Sequence, residues 1–165
     1  MMESKYQTGW ARFWAAFIDG LVFLPLGFIE DYFLLPTENK LGMISWIIFT
    51  ALLSYAYSVL LHAKYGQTLG KMALKVKIID QSETKSITFR QAFMRDSVGM
   101  AISLVAVIFL FFQFADVKLI EKNYDEFLMP WFFSWIIIEL VTMLFNQKRR
   151  AVHDFIAGTV VVRTK

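Results

Sequence analysis

An all-α transmembrane architecture, a four-helix membrane bundle with a small cytoplasmic β element, follows from three properties of this 165-residue chain. It is 57% hydrophobic and only 19% charged, against about 45–50% and about 25% in soluble domains. The apolar residues gather into four long stretches with the charges between them. Lysine and arginine fall almost entirely on one side of those stretches. At about 20 residues per crossing, four spans occupy about 80 positions. No remaining segment is long enough for a second sizeable core, which excludes a soluble enzyme on a membrane tether. The chain has no cysteine, so disulfides, thiolate nucleophiles and cysteine-ligated metals are excluded.

The first span runs from about Phe13 to Ile29 and continues toward Leu35. It reads as a retained helix and not a signal peptide. Asp19 interrupts its apolar run, its start is weakly basic, and no small-residue cleavage pattern follows. The second, Leu41 to Leu61, contains no charge; the third covers about Ser97 to Ala115 and the fourth Phe127 to Phe145. One side then holds Lys5 and Arg12, seven basic residues in the 62–96 loop and five in the 146–165 tail. The other side holds only Lys40, Lys118 and Lys122, beside the acids Glu30, Asp31, Glu38, Asp116, Glu121, Asp125 and Glu126. Fourteen bases against three places both termini in the cytoplasm. A bacterial inner (cell) membrane is the expected location, although any membrane with a cytosolic face meets the same rule. In a membrane protein a basic excess of this kind marks cytoplasmic loops, not nucleic-acid binding.

Within the long loop, Lys75-Val-Lys-Ile alternates with the period of a half-buried strand. Gln81 to Ser86 is a polar turn, Ile87-Thr-Phe89 is expected to return as a second short strand, and Arg90 to Asp96 reads as a helix entering the third span. Thr159 to Thr164 is β-branched and follows Gly158, a good helix stop. A lone hairpin is marginal in water, so the tail is expected to pair with the Lys75–Ile79 strand as a third member. The alternative is an amphipathic loop lying on the headgroups. Gly66 to Lys71 resembles a phosphate-binding loop only superficially: three residues separate Gly66 from Gly70 where four are required, and Met72 stands where a hydroxyl would hold magnesium. Its glycines read instead as a tight turn beneath the second helix.

Two carboxylates lie inside predicted spans, Asp19 and Glu139. Such a group costs about 2.5–3.5 kcal/mol on insertion scales and is a functional candidate by default. Each sits about 9 Å from the cytoplasmic end of its helix. They are therefore expected either to line one inward-facing cavity or to act as hydrogen-bonded glue between helices; glue is favoured for Glu139. Arg12 and Asp19 are two helical turns apart, too far for a direct bridge, so Arg12 is expected to meet a lipid phosphate or an acid such as Asp154. The two histidines, His62 and His153, make no recognisable metal site. His153 beside Asp154 reads as a helix cap or, less readily, a proton shuttle. No nucleophilic serine or threonine is in evidence, no enzyme activity is expected and no cofactor is implied.

These residues resemble the RDD family, small multi-pass membrane proteins named for one arginine and two aspartates. The resemblance rests on Arg12-Phe-Trp-Ala-Ala-Phe-Ile-Asp19, Gly66-Gln-Thr-Leu-Gly-Lys71, the Lys75 strand with Phe89 to Arg95, and Arg149-Arg-Ala-Val-His153-Asp154 through Thr159. It implies that Asp154 is the second aspartate and that cation/proton antiport, attributed to some members, is one function to test. Two functions follow as expectations. The first is a transporter exchanging a small cation or solute for protons, built as a homo-oligomer because four helices are few for a pathway. Asp19 would be its proton-binding carboxylate, with Arg12 and Asp154 at the inner mouth. The second is a non-transporting adaptor whose basic cytoplasmic face binds a partner or anionic lipid.

Overall fold

The computed structural model describes residues 4–37, 39–114 and 124–164, with side chains for all of these except 113–114 and 124–128. Glu38, Ala115 and the outer-loop residues Asp116, Lys118, Glu121 and Lys122 lie outside the described residues, as does Lys165.

Four long helices run up and down. Helix α1 covers Gly9–Ile29 and passes without a break into a π-helical turn at Glu30–Leu34 and a 3₁₀ turn at Leu35–Thr37, as the extension to Leu35 anticipates. Helix α2 is Lys40–Tyr65. Its first turn is capped by Asn39, whose side-chain oxygen accepts from Gly42 N–H at 3.0 Å. Helix α4, Phe89–Phe114, fuses the expected Arg90–Asp96 helix with the third span. Helix α5 is Tyr124–Leu144. At 1.5 Å per residue the 26-residue α2 and α4 are about 39 Å long and the 21-residue α5 about 31 Å, enough for a hydrocarbon core of about 30 Å. Three of the helical segments are apolar enough to cross by hydropathy alone, and in α5 the apolar part is Met129–Leu144. Only 6% of each of the three crossing windows is buried within the protein, so lipid must cover the remainder.

The buried core lies at one end, here called the polar end, where the start of α1, the end of α2, the start of α4 and both described chain ends meet. Strand β1 (Val76–Asp80) pairs antiparallel with β2 (Thr159–Arg163), with Ile78 opposite Val161 and Asp80 opposite Thr159. Thr164 N–H adds a bond to the Lys75 carbonyl at 2.9 Å, so the tail pairs with the Lys75–Ile79 strand as expected. Val76, Ile78 and Val161 pack on Ala11 of α1, Val59 of α2 and Ala92 of α4. Burying side chains of this size contributes about 1.5–3 kcal/mol each, which is what a two-stranded ribbon needs to persist.

The expected strand at Ile87–Phe89 does not form. Ser86 makes a single bridge to Ile79, and the chain then turns directly into α4. Thr88 Oγ1 accepts from Gln91 N–H while Gln91 Oε1 accepts from Thr88 N–H at 2.9 Å. That reciprocal cap starts a helix where a third strand would have had to continue, so the sheet has two strands. The loop is also shorter than its sequence suggests. Helix α2 runs on to Tyr65 and ends on Gly66, whose φ of +72° is the left-handed conformation of a helix stop. A short helix α3, Leu69–Ala73, then lies across α1, and a last helix α6, Val152–Ala157, precedes β2.

Candidate functional site at the polar end of the bundle

Helix α1 points Arg12 into the protein at the level of the sheet. The Arg12 guanidinium is 10% exposed and lies 2.9 Å from Asp154 Oδ2 on α6, where the carboxylate is fully buried. It also donates to the Arg149 carbonyl at 3.1 Å. The expected partner of Arg12 among the acids is therefore the one found. A second guanidinium, Arg95 of α4, pairs with the other oxygen, Asp154 Oδ1, and reaches Thr159 Oγ1 at 3.1 Å. Ala151 N–H donates to Asp154 Oδ2 at 2.9 Å. Burial alone would push the Asp154 carboxyl up, but Arg95 and then Arg12 hold it well below the usual carboxylate range. One carboxylate thus ties α1, α4 and the tail together.

His153 completes this lock. Its Nε2 accepts from both Arg12 (3.0 Å) and Arg95 (2.8 Å), so its proton must sit on Nδ1, which donates to Glu139 Oε1 at 2.8 Å. Burial first, and Arg95 next, lower the His153 pKa from its ordinary 6.5, consistent with a neutral ring at pH 7. Glu139 of α5 is thereby joined to α6. Its second oxygen is buried without a partner among the described residues.

Asp19 lies elsewhere. Two turns beyond Arg12, it accepts from Tyr57 Oη of α2 at 2.7 Å, Thr68 Oγ1 at 2.6 Å and Gly70 N–H at 2.8 Å. The close fit of α3 on α1 depends on Gly70, where an added Cβ would stand 2.1 Å from the Ala15 carbonyl oxygen. Asp19 and Glu139 do not share a cavity: the first clamps α3 and α2 to α1, and the second holds α6 to α5. Replacing Asp19 with asparagine leaves one acceptor oxygen for three donors. A loss of about 1–3 kcal/mol in stability is expected, read as a lower unfolding midpoint in detergent. A variant as stable as the parent would show that the clamp carries no weight.

Between α2, α4 and α5 lies a polar cavity of about 350 Å³, lined in part by Ser58, His62, Lys71, Asp96, Trp135 and His153. His62 is 2% exposed, accepts from Lys71 Nζ on Nε2 at 3.1 Å, and turns Nδ1 toward Asp96 Oδ2 at 3.5 Å. That carboxylate oxygen is buried and has no hydrogen-bond partner among the described residues. Burial and the nearby Arg95 lower the Lys71 pKa to about 8.

From the sequence, Arg12, Asp154, Glu139 and His153 were candidates, and these four meet in one network. Gly66 is the helix stop, Gly70 the close approach and Lys71 the partner of His62. Arg95, Asp96 and His62 were not singled out as site residues. A base beside a predicted span reads first as a topology charge, and only the fold shows that Arg95 turns inward.

The sequence profile of the RDD family matches residues 6–158, from the N-terminal segment through the Asp154 helix. The chain belongs to the RDD family. It is also 25% identical over 171 residues to "Uncharacterized membrane protein YteJ" of Bacillus subtilis (strain 168), an alignment that covers 100% of this chain and 85% of that protein. No solved structure matches the chain. In this RDD protein Arg12 and Asp154, the pair suspected from the sequence, are direct partners. Asp19 makes a separate joint two turns away. Arg12 and Asp19 thus tie two separate segments to α1, the tail through Asp154 and the α2–α3 junction through Tyr57, Thr68 and Gly70.

Proposed function

We propose that this RDD-family protein exchanges a small cation or solute for protons, with the cavity between α2, α4 and α5 as its binding site. The observation that supports this reading is the Asp96 carboxylate. Its Oδ2 is buried at the cavity wall, where His62 Nδ1 faces it across 3.5 Å without a formed hydrogen bond. Asp96 stands one residue before the third span, at the mouth of the cavity, and a carboxylate oxygen held so loosely there can take up a proton or a cation in turn. Asp19 is a poorer candidate, because protein donors already occupy both of its oxygens. The basic asymmetry supports a cytoplasmic polar end in a cell membrane, so that the cavity loads from the cytoplasm. Four helices enclose little of a pathway, and a homo-oligomer is the proposed unit.

The test is flux in proteoliposomes under imposed cation and pH gradients. The parent protein is expected to move protons against a cation gradient. Asp96→Asn, which keeps size but cannot exchange a proton near neutral pH, is expected to lose that coupling while unfolding at the same temperature. Absent flux in the parent protein, or full coupled flux in Asp96→Asn, rejects the assignment.

A further inference from the structure

A second concave site opens at the polar end, outside the ion-pair lock and independent of any transport role. It is a groove of about 560 Å³ between the β1 turn and the start of α4, lined by Asp80, Lys85, Ser86, Thr88, Arg90 and Met94 among others. Asp80 is fully engaged by the protein. Its Oδ1 accepts from Ser82 N–H at 2.8 Å and its Oδ2 from Gln91 Nε2 at 2.6 Å. These bonds, those from Ser82 foremost, hold its pKa at about 2. The Lys85 and Arg90 side chains, by contrast, are exposed and make no ion pair or hydrogen bond among the described residues, while the Lys85 carbonyl accepts from Asp80 N–H at 3.1 Å. The groove therefore presents two exposed cations and three hydroxyl residues, Ser82, Ser86 and Thr88, against one satisfied carboxylate.

Its position on α4 indicates the occupant. Arg90 stands at the foot of the helix face that carries Phe93, Leu104, Ile108 and Phe111, which are 45–60% exposed. Ile108 follows Arg90 by 18 residues, about five full turns, so both project in the same direction. Phe89 and Phe93, themselves exposed, form an apolar step beside the guanidinium. Two bases in a groove at the end of a lipid-covered stripe suit a ligand with an anionic phosphate head and hydrocarbon tails.

We infer that this groove holds the headgroup of an anionic phospholipid whose acyl chains lie along the exposed face of α4. The full-length protein in nanodiscs would be given spin-labelled phosphatidylglycerol or spin-labelled phosphatidylcholine, and the motionally restricted fraction measured for each. The parent is expected to prefer phosphatidylglycerol. The K85Q/R90Q double variant is expected to cut that preference on the order of tenfold, with its unfolding midpoint unchanged. K64Q/K75Q removes the same charge from exposed positions outside the groove and is expected to leave the preference intact. Equal retention of both lipids by the parent, or an equal fall in the K64Q/K75Q control, overturns the site. Loss of the preference on adding excess inorganic phosphate identifies a free-anion site and overturns the lipid assignment.

Discussion

Asp154→Ala is expected to destabilise the protein by about 3–5 kcal/mol, the cost of leaving buried guanidinium groups without their counter-charge. The loss is large because one carboxylate serves both Arg12 and Arg95, and because Asp154 is fully buried. Arg12→Met alone should cost less, since the Arg95 pair survives it. The triple variant Arg12→Met/Arg95→Met/Asp154→Leu should recover much of the loss by removing the stranded charges altogether. Chemical unfolding in detergent micelles reads all three. A small effect for Asp154→Ala would mean that water reaches the guanidinium groups and the lock is open. The pH dependence has a definite sign. The folded-state pKa of Asp154 lies below its ordinary value of 3.8. Its contribution is therefore present above about pH 4 and is lost as the pH falls toward the folded value. His153 sets an earlier limit: its folded pKa lies below 6.5, so the unfolded chain takes up a proton there first and the lock should begin to weaken as the pH falls below about 6.5.

Gly70→Ala is the second substitution with a large expected effect, and it runs against intrinsic propensity. Alanine favours a helix over glycine by about 0.8–1.0 kcal/mol, and the φ of Gly70 is not positive, so local physics alone predicts a gain. The added Cβ would, however, stand 2.1 Å from the Ala15 carbonyl oxygen and 3.0 Å from Asp19 Cγ. Helix α3 would have to lift from α1, and the Gly70 N–H bond to Asp19 would go with it. A net loss of about 3 kcal/mol is expected, at the upper end of overpacking costs. Gly20→Ala is the control. Nothing lies within 4 Å of its added Cβ, so it should gain up to about 1 kcal/mol. Thermal unfolding of the pair in detergent checks both signs; a Gly70→Ala protein at least as stable as the parent would mean that α3 does not pack as described.

Gly66 reads as a tight turn and proves to end a longer α2, whereas the spans, the pairing of the tail with the loop strand and the helix stop at Gly158 were readable from the chain. Each depends on a periodic or local signal: apolar runs of bilayer length, alternation along Lys75–Ile79, a glycine free to take positive φ. The third strand was misread for a related reason. Ile87 and Phe89 have strand-like side chains, but the reciprocal Thr88–Gln91 cap decides for a helix, and that signal is two polar residues in a short apolar run.

The site divides along the same line. Hydropathy and charge position made Asp19 and Glu139 visible, because a carboxylate in an apolar run is anomalous whatever surrounds it. Arg12 and Asp154 could be suspected as partners, although 142 residues separate them. What each group touches was not available from the chain. Asp19 meets Tyr57, Thr68 and Gly70 only because α3 folds back across α1. Glu139 meets His153 because α6 tucks under α5. Arg95 and Asp96 are consecutive in sequence and both reach the cavity, yet Arg95 turns on to pair with Asp154 while Asp96 turns to His62. Adjacent helical residues point about 100° apart, so their roles depend on which elements pack against each side. Membrane crossing and strand pairing arise from patterns carried along the chain; the lock, the clamp and the cavity arise from long-range packing that brings distant polar groups together away from water.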